Sequence, residues 1–558
     1  MKLTYSLHKL SALATLGLLC VTFTATNKAR AEEKPDPMLK AMQAELDREK
    51  ALLVLPGMQR PYFIEYRLDD QATYEAIANY GALTREESGH QRVVRVTVRV
   101  GSYQADSSSS KGDGAVLLAP EDNDPDALRY ALWTATDVAY KNALNAYSTK
   151  QAALKRFQSA PTADDFSPAK AIVKIEPLVA IDLDRAEWKR RIIEASGLYA
   201  TDPAVKANAE NVQSSTANVR GLALNRYLVN TEGTVLRHGY TGYNATISVS
   251  AQAPDGMQLS RGNGPTAALA KDLESAAAFH QRTLDDLKSL EELRNAPLVG
   301  AEDYHGPVLF SGDAAADTFQ ALFLPNIEAD RPGVGTAART QGAYSSSLHT
   351  PVLSALLDVK DDPLLTTFAG QRLLGAYSVD DEGVPAQPVD IVLAGKLMNF
   401  VIGREPVKDF PDSNGHGRAA AGQAAHSRAA NTIFKSTQPQ TAQQMDQQLL
   451  DLARKQGRDV YAVETLGGEL SPRLLYLVHP DGKRELVRGA NFDELDARSL
   501  RSGILAAGGV PFVDNILGPV PQTVIAPSIL FGDIEVKRAN DEQQKLPYYA
   551  PPAIGATR

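Results

Sequence analysis

Cysteine is almost absent: the 558-residue chain has one, Cys20, so no disulfide can form within it and a thiolate-based zinc or catalytic site has next to no material. Basic residues are in the minority. Lys and Arg total 58 against 67 Asp and Glu, a net charge of -9, which is not the balance of a nucleic-acid-binding chain. After the N-terminal segment no run of about twenty apolar residues occurs, which removes a helical membrane span. What is present is ordinary. A composition 43% hydrophobic and 22% charged is globular and excludes collagenous, low-complexity and mostly disordered chains.

The N-terminus reads as a secretory signal. Lys2 and Lys9 open it, residues 10–24 are mostly apolar but too short to span a bilayer comfortably, and Ala29-Arg30-Ala31 is a small-x-small cleavage site before Glu32. A lipoprotein anchored at Cys20 fits less well, because bulky Leu19 stands before the cysteine. Cleavage after Ala31 would leave 54 basic and 67 acidic groups, a charge of -13, and no cysteine. The expectation is an exported protein, periplasmic or secreted, with no membrane span after signal cleavage.

Helical and strand signals alternate along the rest, which gives an α+β fold class. Apolar spacing predicts helices over 37–54, from about 121 towards 157, over 266–294, from about 313, and over 442–456 with Gly457 as its cap. Strands are expected at 62–67 and 93–100, the latter with Val94, Val96, Val98 and Val100 on one face. Hairpins are expected at 224–237, 390–402 and 474–488, each turning on glycine. The runs Glu121 to Asp126 and Asp380-Asp381-Glu382 read as solvated acidic surface. These patterns divide the chain into a signal over 1–31, an N-terminal α/β region over 32–120, a middle helix and strand region over 121–297, a strand-rich C-terminal domain over 298–540 and a tail over 541–558.

The search for chemistry returns mostly negatives. A helix-borne zinc site needs two histidines close in sequence, and the nearest pair here, His416 and His426, is ten residues apart. There is no Gly-x-Ser-x-Gly elbow and no phosphate loop. Ser108-Ser109-Ser110-Lys111 matches Ser-x-x-Lys only inside a Ser-rich loop, and Gly262-Asn263-Gly264 lacks the third glycine of a dinucleotide fingerprint and reads as a turn. One loop stands out: in Ser413-Asn414-Gly415-His416-Gly417-Arg418 two glycines permit close backbone approach. Asn414, His416 and Arg418 could there present donors to a peptide carbonyl or carboxylate.

A set of glycine-anchored segments in fixed order carries a family resemblance. Leu228 to Thr234, Gly306-Pro307-Val308-Leu309-Phe310-Ser311-Gly312, Asp381-Glu382-Gly383-Val384-Pro385, Leu393-Ala394-Gly395-Lys396, the 413–418 loop and Ala526-Pro527-Ser528 together resemble the TldD/PmbA, or modulator-of-DNA-gyrase, peptidase family. The resemblance implies a mixed N-terminal region, a strand-rich C-terminal TldD/PmbA-type domain, and dimeric assembly around a cavity. It also implies two kinds of subunit. The TldD-like kind carries His-Glu-x-x-x-His on the helix after the Gly-Pro-Val strand and a cysteine ligand near the C-terminus. Here that helix reads Gly312-Asp313-Ala314-Ala315-Ala316-Asp317 and the late cysteine is missing, so the sequence is similar to the PmbA/TldE-like, zinc-free kind. The resemblance then implies no catalytic, cofactor-binding or metal-binding residues, peptide or unfolded polypeptide as ligand, and a homodimer or a heterodimer with a TldD-like zinc subunit. Two alternatives stay open: an active hydrolase with a nonlocal metal site, and a non-enzymatic binding protein of the envelope.

Overall fold

The computed structural model describes residues 36–108, 114–157, 163–332 and 338–539. The signal segment, the tail over 541–558 and Lys111 of the Ser-x-x-Lys match lie outside the described residues.

Four long antiparallel strands organise the N-terminal half: β1 (Pro61–Asn79), β2 (Ala82–Val100), β3 (Val212–Asn230) and β4 (Val235–Gln252), in sheet order β2-β1-β3-β4. Residues from either side of position 120 thus share one sheet, with Glu65 opposite Asn230 and Asn79 opposite Thr216. Tyr80 and Gly81 both take positive φ, 53° and 82°, the type I′ geometry whose twist suits a tight hairpin. The strands 62–67 and 93–100 expected from sequence are the two ends of this hairpin. Its far part went unread because residues 82–91 are all exposed, which erases the period-two signal of a half-buried strand.

All the helices on this sheet cover one face. Tyr66 and Leu68 of β1 pack with α1 (Pro37–Leu52) and α2 (Pro125–Phe157). Further along the strand Tyr74, Ala76 and Ala78 pack with α3 (Arg185–Thr201) and α4 (Ala276–Asn295). The helix expected over 266–294 starts later than read. The Ser275 hydroxyl accepts from the Ala278 N–H at 3.2 Å and fixes the N-terminus there, while Thr266–Ala267 pairs with Tyr243 and Asn244 of β4.

The second sheet contains β5 (Tyr304–Phe310), β6 (Leu357–Asp361), β7 (Val389–Leu393), β8 (Asn431–Ser436), β9 (Val460–Leu466), β10 (Pro472–Val478), β11 (Ile504–Ile516) and β12 (Gln522–Arg538). Its path runs β7-β6-β8-β12-β5-β9-β10, with β11 also on β12. The β8/β12 and β5/β9 pairs are parallel and the others antiparallel. This is the expected α+β architecture with a strand-rich C-terminal part. Val308 and Phe310 point to the core beneath α5 (Gly312–Leu322), where Phe319 stacks on Phe434 with centroids 3.9 Å apart. Leu309 faces the opposite side, against α6 (Ala442–Gln456). Helix α6 carries a Thr441/Gln444 capping box and ends at Gly457 with φ 62°. The hairpin expected over 390–402 turns at Ala394 and Gly395, but its second strand is only Lys396–Leu397.

The uncovered face of the first sheet meets the C-terminal half through charge. Asp69 on β1 takes the Arg226 Nε–H from β3 at 2.6 Å and the Gly422 N–H at 2.7 Å. Arg226 Nη1 reaches Asp381 Oδ2 at 2.6 Å, and the same carboxylate accepts from Arg418 Nε at 3.2 Å and the Ala419 N–H at 2.8 Å. His238 Nε2 on β4 approaches Asp381 Oδ1 to 3.3 Å. Asp381 is only 2% exposed. Burial opposes its charge, yet Arg226 and Arg418 hold its carboxyl well below the usual carboxylate range.

The segment Asp380-Asp381-Glu382 is therefore buried, a correction to its reading as solvated surface. Each acid has a partner that sequence spacing does not display. Asp380 accepts the N–H groups of Glu382, Val384 and Gly417, and Glu382 Oε2 accepts the Arg404 N–H at 2.6 Å. The run Glu121 to Asp126 does lie exposed, as read.

Removing one partner from such a buried set leaves an uncompensated charge, at a cost of about 3–5 kcal/mol. Asp381→Ala is expected to lower unfolding stability by that amount in urea titration, with Arg226 and Arg418 stranded. Gly417→Ala should destabilise by about 1–3 kcal/mol, because a Cβ there would sit 2.0 Å from Glu382 Oε2.

Candidate functional site

The 413–418 loop is turned inward. His416 has no exposed surface: Nε2 lies 3.1 Å from Asp361 Oδ1 and Nδ1 lies 2.9 Å from Asn414 Oδ1. Asn414 is half-buried, its Nδ2 donating to the Phe400 carbonyl and its Oδ1 accepting from the Ile402 N–H, both at 2.8 Å. Arg418 is 5% exposed, paired with Asp381, and its guanidinium lies 4.0 Å over the Tyr377 ring. The three candidate side chains are brought together, and each already has partners within the chain.

Uncommitted polar groups gather elsewhere, in a cleft of about 450 Å³ where α5 faces the segment Arg261–Thr266. Helix α5 begins where Ser311 accepts from the Ala314 N–H at 3.2 Å and donates to the Glu464 carbonyl at 2.6 Å. Gly312 lets that first turn lie against β11, since a Cβ there would meet the Phe512 Cβ at 2.7 Å. The buried stripe of the helix is Ala314, Ala315, Ala316, Thr318 and Phe319. Asp313 and Asp317, four residues apart and hence on one face, line the cleft with Asp514 of β11.

Among the described residues, these three carboxyls form no ion pair or hydrogen bond through their side chains. Burial, with Asp313 and Asp514 nearby, pushes Asp317 up to about 7, against the pull of Arg473. Burial and Asp313 push Asp514 up to about 6, and burial raises Asp313 against Arg261. The cleft cations are more committed. Arg261 Nη1 donates to Thr465 Oγ1 at 3.3 Å and its Nη2 lies 3.7 Å from Asp286. Arg282 grips Glu274 with Nε and Nη2. Gly262-Asn263-Gly264 forms part of the rim.

The residues present do not fit the zinc that the resemblance implies for a catalytic subunit. Ala314, Ala315 and Ala316 have no exposed surface, their methyl groups buried in the core with Phe319 and Phe434. Neither imidazole nor thiolate stands on this helix. Among the described residues no three His, Cys, Asp or Glu side chains gather as a metal ion requires.

Sequence reading passed over the cleft residues for identifiable reasons. The spacing of Asp313 and Asp317 was available as a signal, but Asp514 joins them from a strand almost two hundred residues later. Arg261 comes from before that interval and Arg473 from within it.

Comparison with known proteins agrees with this architecture. Residues 303–482 match the family model described as the PmbA/TldA metallopeptidase C-terminal domain. The fold is similar to that of a candidate modulator of a DNA gyrase from Thermotoga maritima, with 15% identity and a TM-score of 0.61 over 89% of this chain and 99% of that one. It is also similar to TldE from Thermococcus kodakarensis, with 12% identity and a TM-score of 0.58 over 89% of this chain and 100% of that one. A candidate modulator of DNA gyrase from Bacteroides thetaiotaomicron gives 12% identity and a TM-score of 0.55 over 89% and 98%. Among curated proteins none matches. At these identities the structural likeness speaks for the fold. The fold is α+β, and the domain match is confined to residues 303–482. Over 89% of its length the chain shares the fold of these three structures, and residues 303–482 are similar to the PmbA/TldA C-terminal domain.

The raised carboxyls have a sign that can be checked. An aspartate whose folded pKa exceeds its unfolded value stays protonated in the native state while the unfolded chain ionises, so it destabilises the fold increasingly as pH rises between the two values. For Asp317 that window runs from the ordinary 3.8 up to about 7. Asp317→Asn should therefore raise the melting temperature, with a gain that grows across the window and levels off above it. Scanning fluorimetry from about pH 4 to pH 8 measures this; a gain independent of pH would show that Asp317 is not held protonated.

Proposed function

We propose that this chain is an exported, PmbA/TldE-like member of its family without a zinc site of its own. It binds peptide or unfolded polypeptide in the α5 cleft and supports a zinc-bearing TldD-like partner in proteolysis. The observation that carries this reading is the α5 stripe Ala314, Ala315 and Ala316, buried in the core on the helix where the resemblance implies zinc-ligating histidines. The fold's likeness to a protein named TldE supports the same side of the family, and the N-terminal segment supports export. The peptide role read from sequence for Asn414, His416 and Arg418 passes to the cleft, where Asp313, Asp317 and Asp514 form no ion pair or hydrogen bond among the described residues.

A second reading is a hydrolase acting through its own carboxyls. One observation favours it: Asp317 and Asp514 titrate near neutrality, the poise of a general acid.

The test is metal analysis and cleavage of an unfolded polypeptide by the purified chain, with and without chelator, alone and with a His-Glu-x-x-x-His-bearing homologue. The expected result is far less than one zinc per chain, no cleavage alone, and cleavage when the homologue is added. Stoichiometric zinc with chelator-sensitive cleavage overturns the proposal. Chelator-resistant cleavage lost in Asp317→Asn selects the second reading.

A further inference from the structure

The α5 cleft holds an imbalance of uncommitted charge. Three carboxyls, Asp313, Asp317 and Asp514, line it without an ion pair or hydrogen bond among the described residues. On the cationic side, Arg261 is engaged with Thr465 and Asp286, and Arg282 with Glu274. That leaves Arg473 against three acids. Partly buried carboxyls in excess of counter-charge are costly, and a cation entering the cleft offsets that cost.

The shape of the cluster selects the kind of cation. These carboxyls do not gather tightly enough for a metal ion, which draws its oxygen ligands to about 2.0–2.6 Å. An organic cation with several N–H groups can span more widely spaced acceptors. The volume of about 450 Å³ accommodates a side chain or chain end with the residues beside it, within the usual range of ligand pockets. Phe512, on the same lining and 41% exposed, adds an aromatic surface of the kind that attracts ammonium and guanidinium groups.

Resting on the reading that peptides bind here, we infer that the cleft recognises the cationic group of a peptide, an ammonium or guanidinium, held among Asp313, Asp317 and Asp514 beside Phe512. The cation comes from a free amino terminus or from a Lys or Arg side chain. Arg473 opposes it and sets a limit on affinity.

Fluorescence anisotropy on the full chain at about pH 8, where the acids are ionised, tests the inference with three dye-labelled versions of one short peptide. One is neutral, with acetyl and amide caps; one has a free amino terminus; one is capped and contains a single lysine. At least one cationic version should bind about tenfold tighter than the neutral one, the effect of one charge-assisted contact. Which version gains identifies the source of the cation. Asp317→Asn and Asp514→Asn should each remove that gain, bringing the cationic versions down to the affinity of the neutral one. Arg473→Ala should strengthen cationic binding, a change of opposite direction that a misfolded variant would not give. Equal binding of all three peptides, unaffected by the aspartate variants, overturns the inference and leaves peptide binding standing. No binding of any of them overturns both.

Discussion

One carboxylate, that of Asp381, joins the two halves of the molecule. It receives Arg226 from the N-terminal sheet and Arg418 from the 413–418 loop, so its charge is compensated from both halves at once. This accounts for the composition of the uncovered sheet face, where Arg67, Asp69 and Arg226 stand buried in the alternate positions of strands whose other face is apolar. A purely hydrophobic contact of similar area would tolerate sliding, whereas paired charges with fixed backbone donors such as Gly422 and Ala419 accept one arrangement. It also explains why His416 and its neighbours are engaged inward: their loop is part of the joint.

The cleft shows the same residue types under the opposite condition. At the joint Arg226 and Arg418 hold Asp381 ionised, while burial pushes its neighbours Asp380 and Glu382 up, Glu382 to about 7. In the cleft, Asp317 and Asp514 are partly buried without such a pair of arginines, and their affinity for protons rises. Burial raises a carboxyl in either place, and at Asp381 the two arginines beside it reverse the effect. In the cleft these carboxyls stand on α5 and β11 and line a cavity of about 450 Å³.

How much was legible beforehand follows from where the signals lie. Local capping and turn residues told the truth: α6 with Thr441 and Gly457, the 474–488 hairpin with Gly482, and the alternation of Val94 to Val100 all stand as read. The family resemblance rested on glycine turns in order, and the fold carries it. The first half of β2 was invisible because residues 82–91 are exposed on both faces. The burial of Asp380 to Glu382 was invisible because its partners, Arg226 and the 417–419 backbone, are far away in sequence or are not side chains at all. The cleft failed for the first of these reasons, since Asp514 and Asp317 meet only through the pairing of β11 with β12 and the seating of α5 upon it.

Strand β4 touches both places. His238 near its start approaches Asp381, and Val249 near its end pairs with Arg261, eleven residues on, or about 36 Å at the usual rise per residue. A strand buried on one face cannot slip by a single residue without turning its whole apolar set to the wrong side. Strand β4 is therefore a ruler of fixed length, with its zero at the joint and the cleft wall at its far mark.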